Sequence, residues 1–78
     1  MAKSLRSKEH TSLLAILRAS REEAKLTQRQ LADRLGWSKS KYASVESGER
    51  RLDVIEFRHL AKALKVDPLE LFRRWVNW

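Results

Sequence analysis

The sequence has 78 residues, a length that fits one small domain with a marginal core. It has no cysteine and only two histidines, which excludes a disulfide scaffold and a cysteine-based zinc site and leaves no metal cluster. Seventeen Lys and Arg against ten Asp and Glu give a net charge of +7, which indicates a polyanionic partner, usually nucleic acid and sometimes a membrane surface.

Several other classes of protein are disfavoured by the same sequence. No apolar run has the length of a transmembrane span, and the first residues lack the apolar segment of a signal peptide, so we expect a cytoplasmic protein. Two glycines are too few for a phosphate-binding loop. No nucleophile–base pair or carboxylate pair is readable. We therefore expect no enzyme, no cofactor and no small-molecule ligand.

Helix one is predicted over residues 11–25, where one stripe recurs at steps of three and four residues. The stripe consists of Leu13, Ile16, Leu17, Ser20 and Ala24. The start of this helix stays open, because Ser4, Ser7 and Thr11 are each able to cap it. Residues 1–10 are predicted to form a basic N-terminal arm.

Helices two and three are predicted close together, over about residues 28–35 and 39–47. Thr27 and Gln30 have the spacing of a capping box at the start of helix two. Gly36 ends that helix, since glycine readily takes the left-handed conformation of a helix C-terminus. The short connection and its glycine are typical of a helix-turn-helix.

Helices four and five both begin with strong capping signals. Asp53 and Glu56 form a second capping box, followed by the apolar stripe Phe57, Leu60, Ala61 and Leu64. Helix five is predicted over about residues 68–77, with Asp67 as N-cap and Pro68 at the first helical position. His59 is expected to be a half-buried residue of helix four.

Helix three has two contrasting sides when its residues are placed at about 100° intervals. Tyr42, Val45 and Glu46 fall on the inner side. The outer side is small and hydroxyl-bearing, flanked by lysines: Lys39, Ser40, Lys41, Ala43 and Ser44. A major groove about 12 Å wide requires small side chains where a helix enters deepest. The alternative is an ordinary solvated face.

Residues from Leu17 to Phe72 resemble the Cro/phage-repressor type helix-turn-helix domain, also called the xenobiotic-response-element (XRE) family. The similarity rests on "LTQ" opening helix two, "LA" within it, "LG" at the turn, "ESG" closing helix three and "ALKVDPLELF" near the end, in that order. The resemblance implies an all-α domain, a compact five-helix bundle of the lambda-repressor-like type over residues 11–78. Its third helix would read the DNA major groove.

The resemblance also implies roles for individual residues. DNA contacts fall on helix two, helix three and the following loop: Gln28, Arg29, Lys39, Ser40, Lys41, Ser44, Arg50 and Arg51. Gln28 would also brace helix three, and the two loop arginines have a solvated charge cluster as their alternative. Arg21 and Glu46 are implied to form a partly buried structural ion pair, the alternative being that both point to solvent.

Three residues depart from the family pattern. Lys25 occupies a position where glycine is frequent, and a left-handed lysine is strained, so we expect a different loop there. Trp37 replaces a smaller aliphatic residue and is expected to fill the core rather than stack on a base. Tyr42 also replaces an aliphatic residue and is expected to face the core with its hydroxyl at the rim.

Helix five has more apolar surface than one packed face needs. One apolar sector consists of Leu69, Phe72 and Val76, and a second consists of Leu71, Trp75 and Trp78. We predict that one sector meets the core and that Leu71, Trp75 and Trp78 form a dimer interface. The alternatives are a tail folded over a small core and, less favoured, a membrane-surface helix.

Together these features predict a dimeric, sequence-specific transcriptional regulator that binds a palindromic operator in double-stranded DNA. The alternative is a protein–protein interaction module that keeps the fold and binds a partner protein through helix five. Salt dependence separates the two, because only the DNA binder releases counterions from phosphates.

Overall fold

The computed structural model describes residues 7–78, which form five α-helices and contain no strand. The helices are α1 (Lys8–Glu23), α2 (Gln28–Leu35), α3 (Lys39–Glu46), α4 (Val54–Leu64) and α5 (Pro68–Val76). The predicted all-α, five-helix fold is therefore confirmed. None of these helices is long and apolar enough to cross a membrane.

Helix α1 begins three residues earlier than predicted, at Lys8 instead of Thr11. Its N-cap is Ser7, whose side-chain oxygen accepts a hydrogen bond from the His10 backbone N–H at 3.1 Å. His10 is buried, so the first turn packs against the domain. Residues 8–10, assigned to the arm from sequence, thus belong to α1, and the rest of the arm, residues 1–6, lies outside the described residues.

The other helix starts follow the sequence signals. Both capping boxes form, one between Thr27 and Gln30 and one between Asp53 and Glu56. Asp67 caps α5 and accepts from the backbone N–H of Leu69 at 3.0 Å. These side chains satisfy backbone donors that would otherwise lack partners at a helix N-terminus.

The turn after α1 corrects one expectation, because Lys25 takes the left-handed conformation with φ 60°. Its N–H donates to the carbonyl of Glu22 at 2.9 Å, and the N–H of Leu26 donates to that of Arg21 at 3.2 Å. These two bonds form a Schellman ending, which fixes the turn although lysine has a Cβ. The loop therefore keeps the geometry that favours glycine.

One hydrophobic core joins all five helices. Its buried members are Leu13, Ile16, Leu17, Leu31, Ala32, Tyr42, Val45, Leu60, Ala61, Leu64 and Leu71. Helix α2 packs against α3 and α4, while α1 packs against α3 and α5. Two sequence expectations are wrong here, since Ala24 and His59 are both exposed.

The buried and exposed sectors of helix α5 are the reverse of those predicted. Leu71 is only 1% exposed and lies in the chain's own core, so its assignment to a dimer interface is wrong. Trp75 is half-buried, and its indole Nε1–H donates to the Glu9 carbonyl at 2.8 Å. The predicted core sector is the exposed one, with Leu69 at 70% and Val76 at 63% exposure. Trp78, also predicted at the interface, is exposed as well.

Candidate nucleic-acid interface

Helix α3 presents the sides that its sequence predicts. Tyr42 and Val45 are buried on its inner side. Ser40 is exposed and Ser44 is half-buried on the outer side. The Ser44 hydroxyl donates to the Lys41 carbonyl at 2.8 Å, so towards a base it can act as an acceptor. Ser38 caps the helix by accepting from the Lys41 N–H at 3.1 Å, and this cap fixes where the outer side begins.

Behind this outer side, Glu46 is the centre of a hydrogen-bonded network. Arg21 donates twice to its carboxylate, from Nε to Oε2 at 2.8 Å and from Nη2 to Oε1 at 3.1 Å. Gln28 Nε2 donates to Oε1 at 2.8 Å, and the Tyr42 hydroxyl donates to Oε2 at 2.6 Å. The ion pair implied by the resemblance is present, and the network around it links α1, α2 and α3.

The network fixes the protonation state of each member. Burial disfavours the charged form of Glu46, but hydrogen bonds from Arg21, Tyr42 and Gln28 outweigh it and lower its pKa to about 2. Burial, together with the bond to Glu46, raises the pKa of Tyr42, which stays a neutral donor. The Tyr42 hydroxyl is therefore fully buried on Glu46, not at the rim as predicted.

At the start of α2, Gln28 and Arg29 take different positions. The half-buried Gln28 side-chain amide is engaged by Glu46, which supports the bracing role implied by the resemblance. Arg29 is exposed. Of these two neighbours, Arg29 thus has the side chain that extends into solvent.

A second charged cluster lies beside α3 and was not recognised from sequence. We call it the Glu56 cluster: Glu56 Oε2 is 2.8 Å from Arg50 Nη2 and 3.5 Å from Lys41 Nζ. Lys41 Nζ also lies 4.2 Å above the centre of the half-buried Trp37 ring, a cation–π distance. Sequence identified Glu56 only as a capping residue, because its contacts with Lys41 and Arg50 depend on tertiary structure.

Glu56 is held in its charged form. A hydrogen bond from the Asp53 backbone N–H is the main cause that lowers the pKa of Glu56. Burial opposes it, and Arg50 and Lys41 lower the pKa further. The cluster therefore contains one carboxylate between two cations. Trp37 packs against the core, as expected, and also supports Lys41.

The remaining predicted contacts lie in different places. Lys39 is exposed at the start of α3. Arg51 is exposed and lines a cleft with His10 and Trp75, next to the beginning of α1. A phosphate contact by Arg51 therefore remains a prediction. The position of Arg51 does not distinguish this contact from the alternative of a solvated charge cluster.

Residues 12–75 match a family described as helix-turn-helix domain. The chain belongs to the helix-turn-helix domain family. It is 36% identical to an XRE-family like protein from Pseudomonas syringae pv. tomato str. DC3000, with 97% of this chain and 93% of that chain covered and a TM-score of 0.86. That likeness identifies the family as the XRE type. No curated protein matches the sequence.

Two more distant structures share the fold. A mutant of the restriction-modification controller protein C.Esp1396I is 20% identical, with 91% of this chain and 95% of that chain covered and a TM-score of 0.84. The clp gene regulator ClgR from C. glutamicum is also 20% identical, with 91% and 92% covered and a TM-score of 0.80. The family match and the 36% identical XRE-family structure together identify the chain as a DNA-binding regulator of the XRE helix-turn-helix type.

Proposed function

We propose that this chain is a sequence-specific transcriptional regulator that inserts α3 into the major groove of a palindromic operator as a homodimer. The observation that carries the proposal is the orientation of α3. Its bulky Tyr42 and Val45 are buried, while Ser40 and Ser44 lie on the outer side. Small side chains on the outer side allow close approach to base edges.

The outer residues have complementary parts in this proposal. Lys39 donates to guanine acceptors or phosphates, and the two serine hydroxyls bond to base edges. Arg29 and Arg50 bind the phosphate backbone on either side of α3. Gln28 holds α3 in register through Glu46, so its contribution to DNA binding is indirect.

The dimer part of the proposal now rests on the exposed sector of α5. Leu69, Val76 and Trp78 are exposed, and Phe72 continues this surface inward through an edge-to-face contact with Phe57 at 6.2 Å. A second copy is the simplest cover for such an apolar surface. A two-fold dimer would place two α3 helices about 34 Å apart, one turn of DNA.

Selection of bound oligonucleotides from a random pool with purified protein tests the proposal. We expect enrichment of a palindrome whose half-site centres are separated by about one DNA turn. An enriched site without symmetry would contradict the dimer. No enrichment over the starting pool would contradict sequence-specific binding.

The same apolar surface of α5 favours a second candidate function, a module that binds a partner protein. The proposed regulator would act by occupying its operator, which blocks or recruits polymerase. The second function needs no DNA. Binding affinity measured from low to moderate salt separates them. A DNA binder with several phosphate contacts loses about 10³-fold in affinity, while an apolar protein contact barely responds.

A further inference from the structure

Glu56 connects two cations of the proposed DNA-binding surface to the N-terminus of α4. Its Oε2 contacts Arg50 in the loop after α3 and Lys41 on α3 itself. Its Oε1 accepts from the backbone N–H of Asp53 at 3.1 Å, which caps α4. The Glu56 side chain is only 14% exposed, so it is held in place between its partners. One carboxylate oxygen therefore contacts the two cations, and the other caps α4.

Lys41 is restrained from two directions. The Glu56 carboxylate attracts its ammonium group, and the Trp37 ring holds it by a cation–π contact. Arg50 is restrained by a short bond of 2.8 Å to the same oxygen. Two cations predicted to touch DNA are thus already partnered before DNA arrives.

We propose that Glu56 acts as an internal counter-ion for Lys41 and Arg50 and thereby limits the affinity of the chain for DNA. This proposal rests on the proposed DNA-binding function. A phosphate must compete with the carboxylate for both cations. Glu56 therefore acts through these cations and need not touch DNA itself.

The effect of the counter-ion follows from the contacts that make up nonspecific and operator binding. Nonspecific binding is supplied almost entirely by cations that neutralise phosphates, so an internal anion weakens it in full. Binding to the operator includes the same phosphate contacts together with base contacts by α3, which are unaffected by the anion. An internal counter-ion hence lowers the affinity for operator and for non-operator DNA by a similar factor.

The substitution Glu56→Gln removes the charge of residue 56 and keeps its capping hydrogen bond. The amide oxygen still accepts from the Asp53 N–H, while the negative charge between Lys41 and Arg50 is removed. We expect tighter binding to operator and to non-operator DNA, by a similar factor. With one more phosphate neutralised, affinity should lose a further ~3.5-fold between 50 and 200 mM salt.

Glu70→Gln is the matched control. Glu70 pairs with Arg73 at 2.7 Å on the exposed side of α5, so this variant removes the same charge away from α3. We expect its non-operator affinity and salt dependence to stay close to those of the wild type. Thermal unfolding of both variants establishes that each is folded at the assay temperature.

A third variant tests whether Glu56 acts through its partners. In an Arg50→Ala background, the gain from Glu56→Gln should shrink, because one of the two cations it would release is absent. The full gain in that background would overturn the proposal. So would equal gains from Glu56→Gln and Glu70→Gln, which indicate net charge alone, or no gain from Glu56→Gln. Failure of the wild type to bind any DNA would instead overturn the proposed function.

Discussion

Helices α3 and α5 are nearly equal in length, at eight and nine residues, but they differ in how far the rest of the chain contacts them. The inward acid of α3, Glu46, receives hydrogen bonds from side chains of three helices. The outer side of α5 has large apolar side chains that the described part of the chain leaves exposed. The contrast indicates that α3 is fixed by contacts within the chain, and we propose that the exposed side of α5 is covered by another molecule.

The largest expected effect comes from breaking the internal support of α3. Arg21→Ala removes two hydrogen bonds from the buried Glu46 carboxylate, and the stranded charge should cost about 3–5 kcal/mol of unfolding free energy. Urea unfolding measures this loss.

Arg73→Ala is the control for that measurement. Arg73 also pairs with a glutamate, Glu70, but both side chains are exposed, so the expected loss is below about 1 kcal/mol. Equal losses from Arg21→Ala and Arg73→Ala would contradict the central role of Glu46.

The next effect concerns the exposed surface of α5. Leu69→Glu should convert dimers to monomers in sedimentation experiments, because an unpaired charge in an apolar interface costs at least about 2 kcal/mol, or roughly 30-fold in affinity. His59→Glu introduces the same charge at another exposed position and should leave the dimer intact. A dimer that survives Leu69→Glu would place the interface elsewhere.

Acid should weaken the support of α3 in a defined range of pH. The pKa of Glu46 is about 2 in the folded chain against an ordinary 4.5, so its contribution to stability is complete above about pH 4.5. That contribution decreases as the pH falls from 4.5 towards 2, where the folded protein also takes up the proton. Urea unfolding at several pH values measures this loss. The free energy of unfolding should decrease less steeply with falling pH in Glu46→Gln than in the wild type, and an identical pH dependence would contradict this origin.

The smallest effect is at the turn after α1. Lys25 has φ 60°, where a Cβ is unfavourable, so Lys25→Gly should stabilise the fold by about 0.5–1 kcal/mol. Lys25→Ala keeps the Cβ and should bring no such gain. Thermal unfolding of the two variants tests this difference, and an equal response would mean that the turn carries no strain.

The sequence predicts α3 well because its two sides differ sharply in size and polarity. Tyr42 and Glu46, spaced at i and i+4, were also readable as neighbours on one face, although their hydrogen bond was not foreseen. The Glu56 contacts were not readable, because they join α4 to a loop and to α3 only after the chain has folded.

The sequence fails at α5 and at the start of α1 for a related reason. Both sectors of α5 are apolar, and in the folded chain Leu71 is buried while the Trp75 indole donates to a polar partner. That partner is the Glu9 carbonyl, which lies in the first turn of α1 because α1 begins at Lys8, capped by Ser7, and not at Thr11.

The most direct test of the central claim is the affinity of Ser44→Glu for the selected operator, compared with that of His59→Glu. A carboxylate on the outer side of α3 would face the bases and phosphates of the groove, so we expect a loss of about 100-fold or more. The same charge at His59 should change the affinity by only a few-fold. Equal affinities for the two folded variants would contradict the claim that this side of α3 reads DNA.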